Sequence, residues 1–392
     1  MKYFSVGLLS VLIPLASFAG DVTSLLTKPA PSPSKDVSMP APGGDQIFEN
    51  SIPGQSPEAE FKPVISGFEV YGSTRIDASS VRRYFGTEID QWFKLGLSAD
   101  PSVTALEKKL LKAITDKFDL AFAEWSIVQH LEPPNIAIYV TLDVVEKADA
   151  IRRMDFLAPP TKQLSDPGGL LALWDEYQKV ALGLVEMGEL ELDTIDCEAL
   201  HCPFGHKHPK LQKYEKLFVE GAKSHAAKLA EVLVNDSRPE NRGAAAFVLA
   251  YQKDGKAVIG QLLPSIRDSD DLVRNNVLRV LGDIAEFHPE LLVPTQSVVA
   301  ALEFPRVSDR SKAINAVYFL AMNSAQARQY LMEHSVPTLL RMLQSQQPDH
   351  RMAAHAILRK LSGKSHAVTD LKAWLSWSQK APGAGRAVSK AR

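Results

Sequence analysis

The sequence predicts a multidomain, mainly α-helical chain. An N-terminal α+β module in the order β-α-α-β-β is followed by an α-solenoid of helix pairs. Three observations carry this. Four segments of the C-terminal half repeat one helical phrase behind an arginine. The stretch 64–147 switches between period-two and helical patterning. A proline-rich tract sets that stretch apart from the N-terminus.

Residues 1–19 have the pattern of a secretory signal peptide. Lys2 supplies the positive start, Phe4 to Leu15 an apolar run, and Ser17 and Ala19 the small residues of a cleavage site. The run is well short of the roughly 20 residues that span a bilayer. No cysteine follows Ala19, so lipidation there is not expected. Residues 20–63 read as a Pro-rich disordered linker, with eight prolines between Thr27 and Pro63 and few apolar residues to offset the cost of ordering.

The module at 64–147 opens with a strand in which Phe68 and Val70 alternate with Glu69 and Tyr71 before Gly72. Asp77 is placed to cap a helix bearing Val81, Tyr84 and Phe85. Asp100-Pro101 reads as an N-cap followed by proline at the first helical position, opening a helix with Val103, Leu106, Leu110 and Ile114 on one face. Two strands close the unit, one through Trp125 and Ile127, the other with Ile136, Ile138, Val140, Leu142 and Val144 on a single face. This order, with Phe68-Glu-Val-Tyr-Gly72 and Val140-Thr-Leu-Asp-Val-Val-Glu146, resembles the POTRA domain of outer-membrane assembly proteins. The resemblance implies contact with substrate chains through a sheet edge around Phe68–Tyr71 or Ile136–Val144.

Residues 148–210 read as a helical connector in which Ser165-Asp166-Pro-Gly-Gly169 turns into a helix at Leu170. Its loop Cys197-Glu-Ala-Leu-His201-Cys202-Pro-Phe-Gly-His206-Lys-His208 holds the only two cysteines of the chain. In an exported protein such a pair closes a disulfide, Cys197 to Cys202. The alternative is a zinc ion held by Cys197, Cys202, His206 and His208, with suitable ligand types but uncommon spacing.

The solenoid is expected over 211–378. A first helix carries Leu211, Tyr214, Leu217 and Phe218, and Ala226, Leu229, Ala230 and Leu233 continue its packing. Arg242, Arg274, Arg310 and Arg351 then recur after 32, 36 and 41 residues, the loose period of a helical-pair array. Three positions on stand Ala245, Val277, Ala313 and Ala354, and seven on stand Leu249, Leu281, Val317 and Leu358. Small then large at helical spacing marks a helix pressed between neighbours. Asp236 and Asp268 each precede an arginine by six residues, as a polar turn should. The pattern resembles the HEAT repeat, whose aspartate and arginine bond across successive repeats. Positions 304 and 345 are Phe304 and Ser345, so such a ladder is expected to lapse in the C-terminal half. Pro264 is expected to kink an outer helix, Leu371, Trp374 and Leu375 to cap the array, and 379–392 to be a disordered basic tail.

Balanced charge, 44 basic against 46 acidic residues, argues against a nucleic-acid partner. No phosphate loop, nucleophile elbow or metalloprotease motif is present. The expectation is a non-enzymatic scaffold without cofactor, periplasmic or secreted, binding another envelope protein through both units. The alternatives are a metal-binding protein or metal-dependent enzyme centred on Cys197–His208, and an accessory chaperone for outer-membrane protein assembly.

Overall fold

The computed structural model describes residues 62–132, 134–190 and 197–380. The expected signal peptide, nearly all of the expected linker and most of the expected tail lie outside them.

Strand β1 (Lys62–Tyr71) runs parallel to β3 (Asn135–Glu146), and β2 (Leu120–Glu132) runs antiparallel to β3 on its other side. The strand order is therefore β1-β3-β2, with β3 central. Helices α1 (Ala78–Leu97) and α2 (Val103–Phe118) connect β1 to β2, so the element order β-α-α-β-β is the expected one. Alternation sends Ile138, Val140, Leu142 and Val144 to one face of the sheet. There they form a core with Val81, Ile89 and Trp92 of α1 and Leu110 and Ile114 of α2. Trp92 stacks on Trp125 of β2 with ring centroids 4.7 Å apart. Asp77 caps α1 in a reciprocal box with Ser80. Asp100 does not cap α2. Its carboxylate is taken by the Ser102 amide and hydroxyl in a local turn, and the helix starts at Val103.

After a one-turn helix α3 (Ala150–Arg153), the Asp166 carboxylate accepts from the amides of Leu171 and Ala172 and opens α4 (Leu170–Glu186). Helix α5 runs unbroken from Pro209 to Asn235, with His208 as N-cap and proline at its first position. Gly221 lets α4 approach, since a Cβ there would stand 2.3 Å from Leu170 Cδ2. Then come α6 (Pro239–Leu249), α7 (Gly255–Leu262), α8 (Asp271–Phe287), α9 (Thr295–Ala300) and α10 (Val307–Asn323). They are followed by α11 (Ala325–His334), α12 (Val336–Leu343), α13 (Pro348–Ser362) and α14 (Leu371–Ser378).

The four arginine-bearing helices α6, α8, α10 and α13 stack side by side in chain order. Their paired positions, from Ala245 and Leu249 to Ala354 and Leu358, are all fully buried. Pro264 does not kink a continuous helix. Helix α7 ends at Leu262 and Leu263–Arg267 forms a 3-10 turn, whose first turn needs no donor from proline. A single apolar core runs from Leu170 to Trp374, so α4 is part of it. Trp374 closes the far end, its indole N–H donating to Ala367 O at 3.0 Å.

Candidate interaction surface

Each of the first three repeat arginines is used twice. Arg242 donates to Asp236 O, six residues back, at 2.8 Å, and forks onto the Asp268 carboxylate at 2.8 and 2.7 Å. Arg274 donates to Asp268 O at 2.8 Å and forks onto Asp309 at 3.1 and 2.7 Å. Arg310 donates to Phe304 O at 3.1 Å and to the Asp143 carboxylate at 2.6 Å. The ladder thus extends past the point where it was expected to lapse. Position 304 carries no acid, and Asp309, on the first turn of α10, supplies the charge instead. Position 345 carries none either, and the acid comes from β3. Asp236 serves the start of the array, accepting from Leu164 N and Arg238. Arg351 is half-exposed and, among the described residues, pairs with no carboxylate, so the fourth rung is missing.

The sheet's second face carries a buried polar group of side chains and is covered by the solenoid. Glu69, Ser126, Thr141 and Asp143 lie opposite the apolar face by the same alternation. Asp143 is fully buried and accepts from Ser126 Oγ at 2.7 Å and from the Val307 amide at 3.0 Å as well as from Arg310. Burial alone would favour its protonated form, and these donors and the Arg310 charge oppose that. The Arg310 guanidinium also lies 4.1 Å from the Tyr71 ring centroid. The Glu69 carboxylate accepts from Ser345 Oγ and the Gln346 amide, and Gln347 donates to Thr141 Oγ1 at 2.9 Å. Position 345, which lacks the ladder's acid, is therefore a docking contact.

Arg153 clamps the joint. Its guanidinium, 2% exposed, donates to Gly72 O, Val144 O and Glu303 O at 2.9, 2.7 and 2.9 Å. Burial pushes the Glu303 carboxyl up. The Arg341 charge, the Thr338 hydroxyl and Arg152 outweigh this and bring it down to about 2. Because β3 is the central strand, Ile136–Val144 cannot offer the sheet edge that was expected of it.

Where β2 meets α8 and α10 the surface opens into a cleft of about 200 Å³. Its cations are Arg279 and Lys312. Burial, reinforced by the Arg279 charge, brings the Lys312 amine down to about 8. Arg279 Nε and Ser308 Oγ are buried without a hydrogen-bond partner. Ser311 Oγ lies 3.0 Å from Nε2 of His350, whose pKa burial depresses to about 3.

Residues 226–316 match the family model of HEAT repeats. The match spans α6, α8 and most of α10, and so the rungs Arg242–Asp268 and Arg274–Asp309. No curated protein matches the chain. HEAT repeats suggest a protein-interaction scaffold, and among the described residues no helix is long and apolar enough to cross a membrane.

The Cys/His loop packs onto the start of the HEAT segment. Cys197 and Cys202 are free thiols, not the expected disulfide. They nevertheless adjoin, and the Cys197 contact together with burial raises the Cys202 thiol far above its ordinary range. The four candidate ligands do not converge on a metal. Cys202 Sγ is 3.9 Å from Tyr251 Oη, the His206 ring nitrogens lie against Leu211 O and Tyr251 Oη, and His208 Nδ1 accepts from the Lys210 amide. Among the described residues no group of three or more His, Cys, Asp or Glu could hold a metal ion. His201 instead meets Asp283 of α8 at 2.6 Å and stacks on Phe247.

Proposed function

We propose that the protein is an exported, non-enzymatic scaffold that holds a second protein of the cell envelope on its HEAT surface. The observation that carries the reading is the burial of the sheet's polar face by the turns of the solenoid. It makes one body of two units, and each repeat adds surface to a continuous support. Export is supported by Lys2, the apolar run Phe4 to Leu15 and Ser17 and Ala19 in the sequence. The likeness of 64–147 to a POTRA domain rests on element order and the phrases Phe68–Gly72 and Val140–Glu146, and a role in outer-membrane assembly is not part of the proposal.

A photo-crosslinking residue at Leu272, an exposed position on the rim of the cleft, tests this in the native envelope, with Lys228 on α5 as the distant comparison. The reading expects one specific adduct from Leu272, none from Lys228, and the chain in the envelope fraction. Equal labelling from both sites, or a chain found only in the cytosol, would contradict it.

A further inference from the structure

The cleft between β2, α8 and α10 is lined by two cations and one carboxylate. Lys312 and Arg279 both line it, and the arginine charge acts on the amine. Asp283 acts on Arg279 and Asp349 on Lys312 through space, and among the described residues neither cation has an ion-pair contact. Asp271, the one carboxylate lining the cleft, is already held by Arg306, which also reaches Glu124. Ser308, 8% exposed, and Arg279 both line the cleft, and the Ser308 hydroxyl and the Arg279 Nε are buried without a hydrogen-bond partner. Two like charges without an ion-pair partner and two buried polar atoms without a hydrogen bond around one space favour an anion there.

We propose that the cleft takes a carboxylate side chain presented by an extended acidic segment of the partner protein. This rests on the scaffold reading and names the chemistry of that partner's contact. Size argues for a side chain, because about 200 Å³ is below the range of ordinary small-molecule pockets yet ample for one carboxylate arm. The walls agree. Val128, Val307 and Leu272 are apolar and suit a methylene stem, and Asn276 can meet a peptide backbone with both a donor and an acceptor. A carboxylate seated there would pair with Lys312 and Arg279 together, as a charge-assisted anchor.

Fluorescence anisotropy on the full chain tests this, with fluorescein-labelled octaglutamate as probe, labelled octaglutamine as control and inorganic phosphate as competitor. Octaglutamate is expected to bind at least roughly tenfold more tightly than octaglutamine. Lys312→Gln and Arg279→Gln should each weaken it by about tenfold, and Lys312→Arg should stay within about threefold of wild type. Phosphate should compete only in large excess over the peptide. Thermal melts report whether a variant has unfolded; should Lys312→Gln do so, Arg279→Gln decides. No preference for octaglutamate, a preference untouched by either glutamine variant, or displacement by phosphate at peptide-like concentration would each overturn the assignment. If the Leu272 crosslink still captures an envelope protein, only the carboxylate assignment falls; if it captures none, the scaffold reading falls with it.

Discussion

Arg310 on α10 meets Asp143 on β3 at 2.6 Å across 167 positions of sequence, and both side chains are wholly buried. The pair is the third rung of a ladder that otherwise lies within the solenoid, and it is the rung that binds the sheet to the solenoid. A buried pair of this kind adds little over an apolar pair of equal volume, but removing one member strands the other.

Asp143→Asn should therefore cost about 3–5 kcal/mol, because the Arg310 guanidinium is left buried with only carbonyl partners. Asp143→Leu combined with Arg310→Met should cost less than the sum of the two single changes. Urea unfolding of the four proteins gives the comparison directly. Additive losses would mean that the pair is not coupled.

Arg153 and Gly72 should fail in the same way. Arg153→Met removes the donors of three carbonyls at the joint, a loss of roughly 2–4 kcal/mol. Gly72→Ala places a methyl 2.2 Å from Val144 O at a φ of +104° that only glycine adopts freely. Both variants should show faster proteolytic cleavage between Lys147 and Leu170, measured against wild type by mass spectrometry.

Acid should loosen the joint through Glu303. Its carboxyl is held at about 2 against an ordinary 4.5, so its contribution is fully present above pH 4.5. That contribution, on the order of 2–3 kcal/mol, is lost as pH falls from about 4.5 toward 2. Glu303→Gln should flatten that limb of a plot of Tm against pH, and an unchanged limb would assign the acid sensitivity elsewhere.

The two thiols adjoin without being bonded. In an oxidising compartment they are expected to join, closing a small loop for about 2 kcal/mol of stability. Chain purified from an oxidising compartment should then react with a thiol reagent only after reduction. Once reduced, Cys197 should label before the buried Cys202. Peptide mapping would show this, and immediate labelling of both cysteines without reduction would contradict it.

The helix stack could be read from the chain because its signals are local. Arg242 and Asp268 are set by the repeat period, and the buried Ala and Leu positions by helical spacing. The partners of Arg274 and Arg310 could not be read this way. Asp309 sits next to Arg310 at no repeat position, and Asp143 belongs to another unit. Thr141 and Asp143, polar and alternating with Val140 and Leu142, look like the solvated face of a half-buried sheet. Only the tertiary arrangement shows that face covered. The cleft was hidden for a similar reason, since a single lysine such as Lys312 on an amphipathic helix reads as solvent-facing until α8 and β2 are packed beside it. His206 and the cysteines supplied ligand types at short spacing, but the loop turns those groups onto Tyr251 and Leu211, which spacing does not reveal.

Hydrogen exchange read by mass spectrometry through a urea titration tests most directly whether sheet and solenoid form one body. Peptides from β3 and from α10 are expected to lose protection at the same urea concentration, and to do so together at a lower one in Asp143→Asn. Opening of β3 while α10 stays protected in the wild-type chain would contradict it.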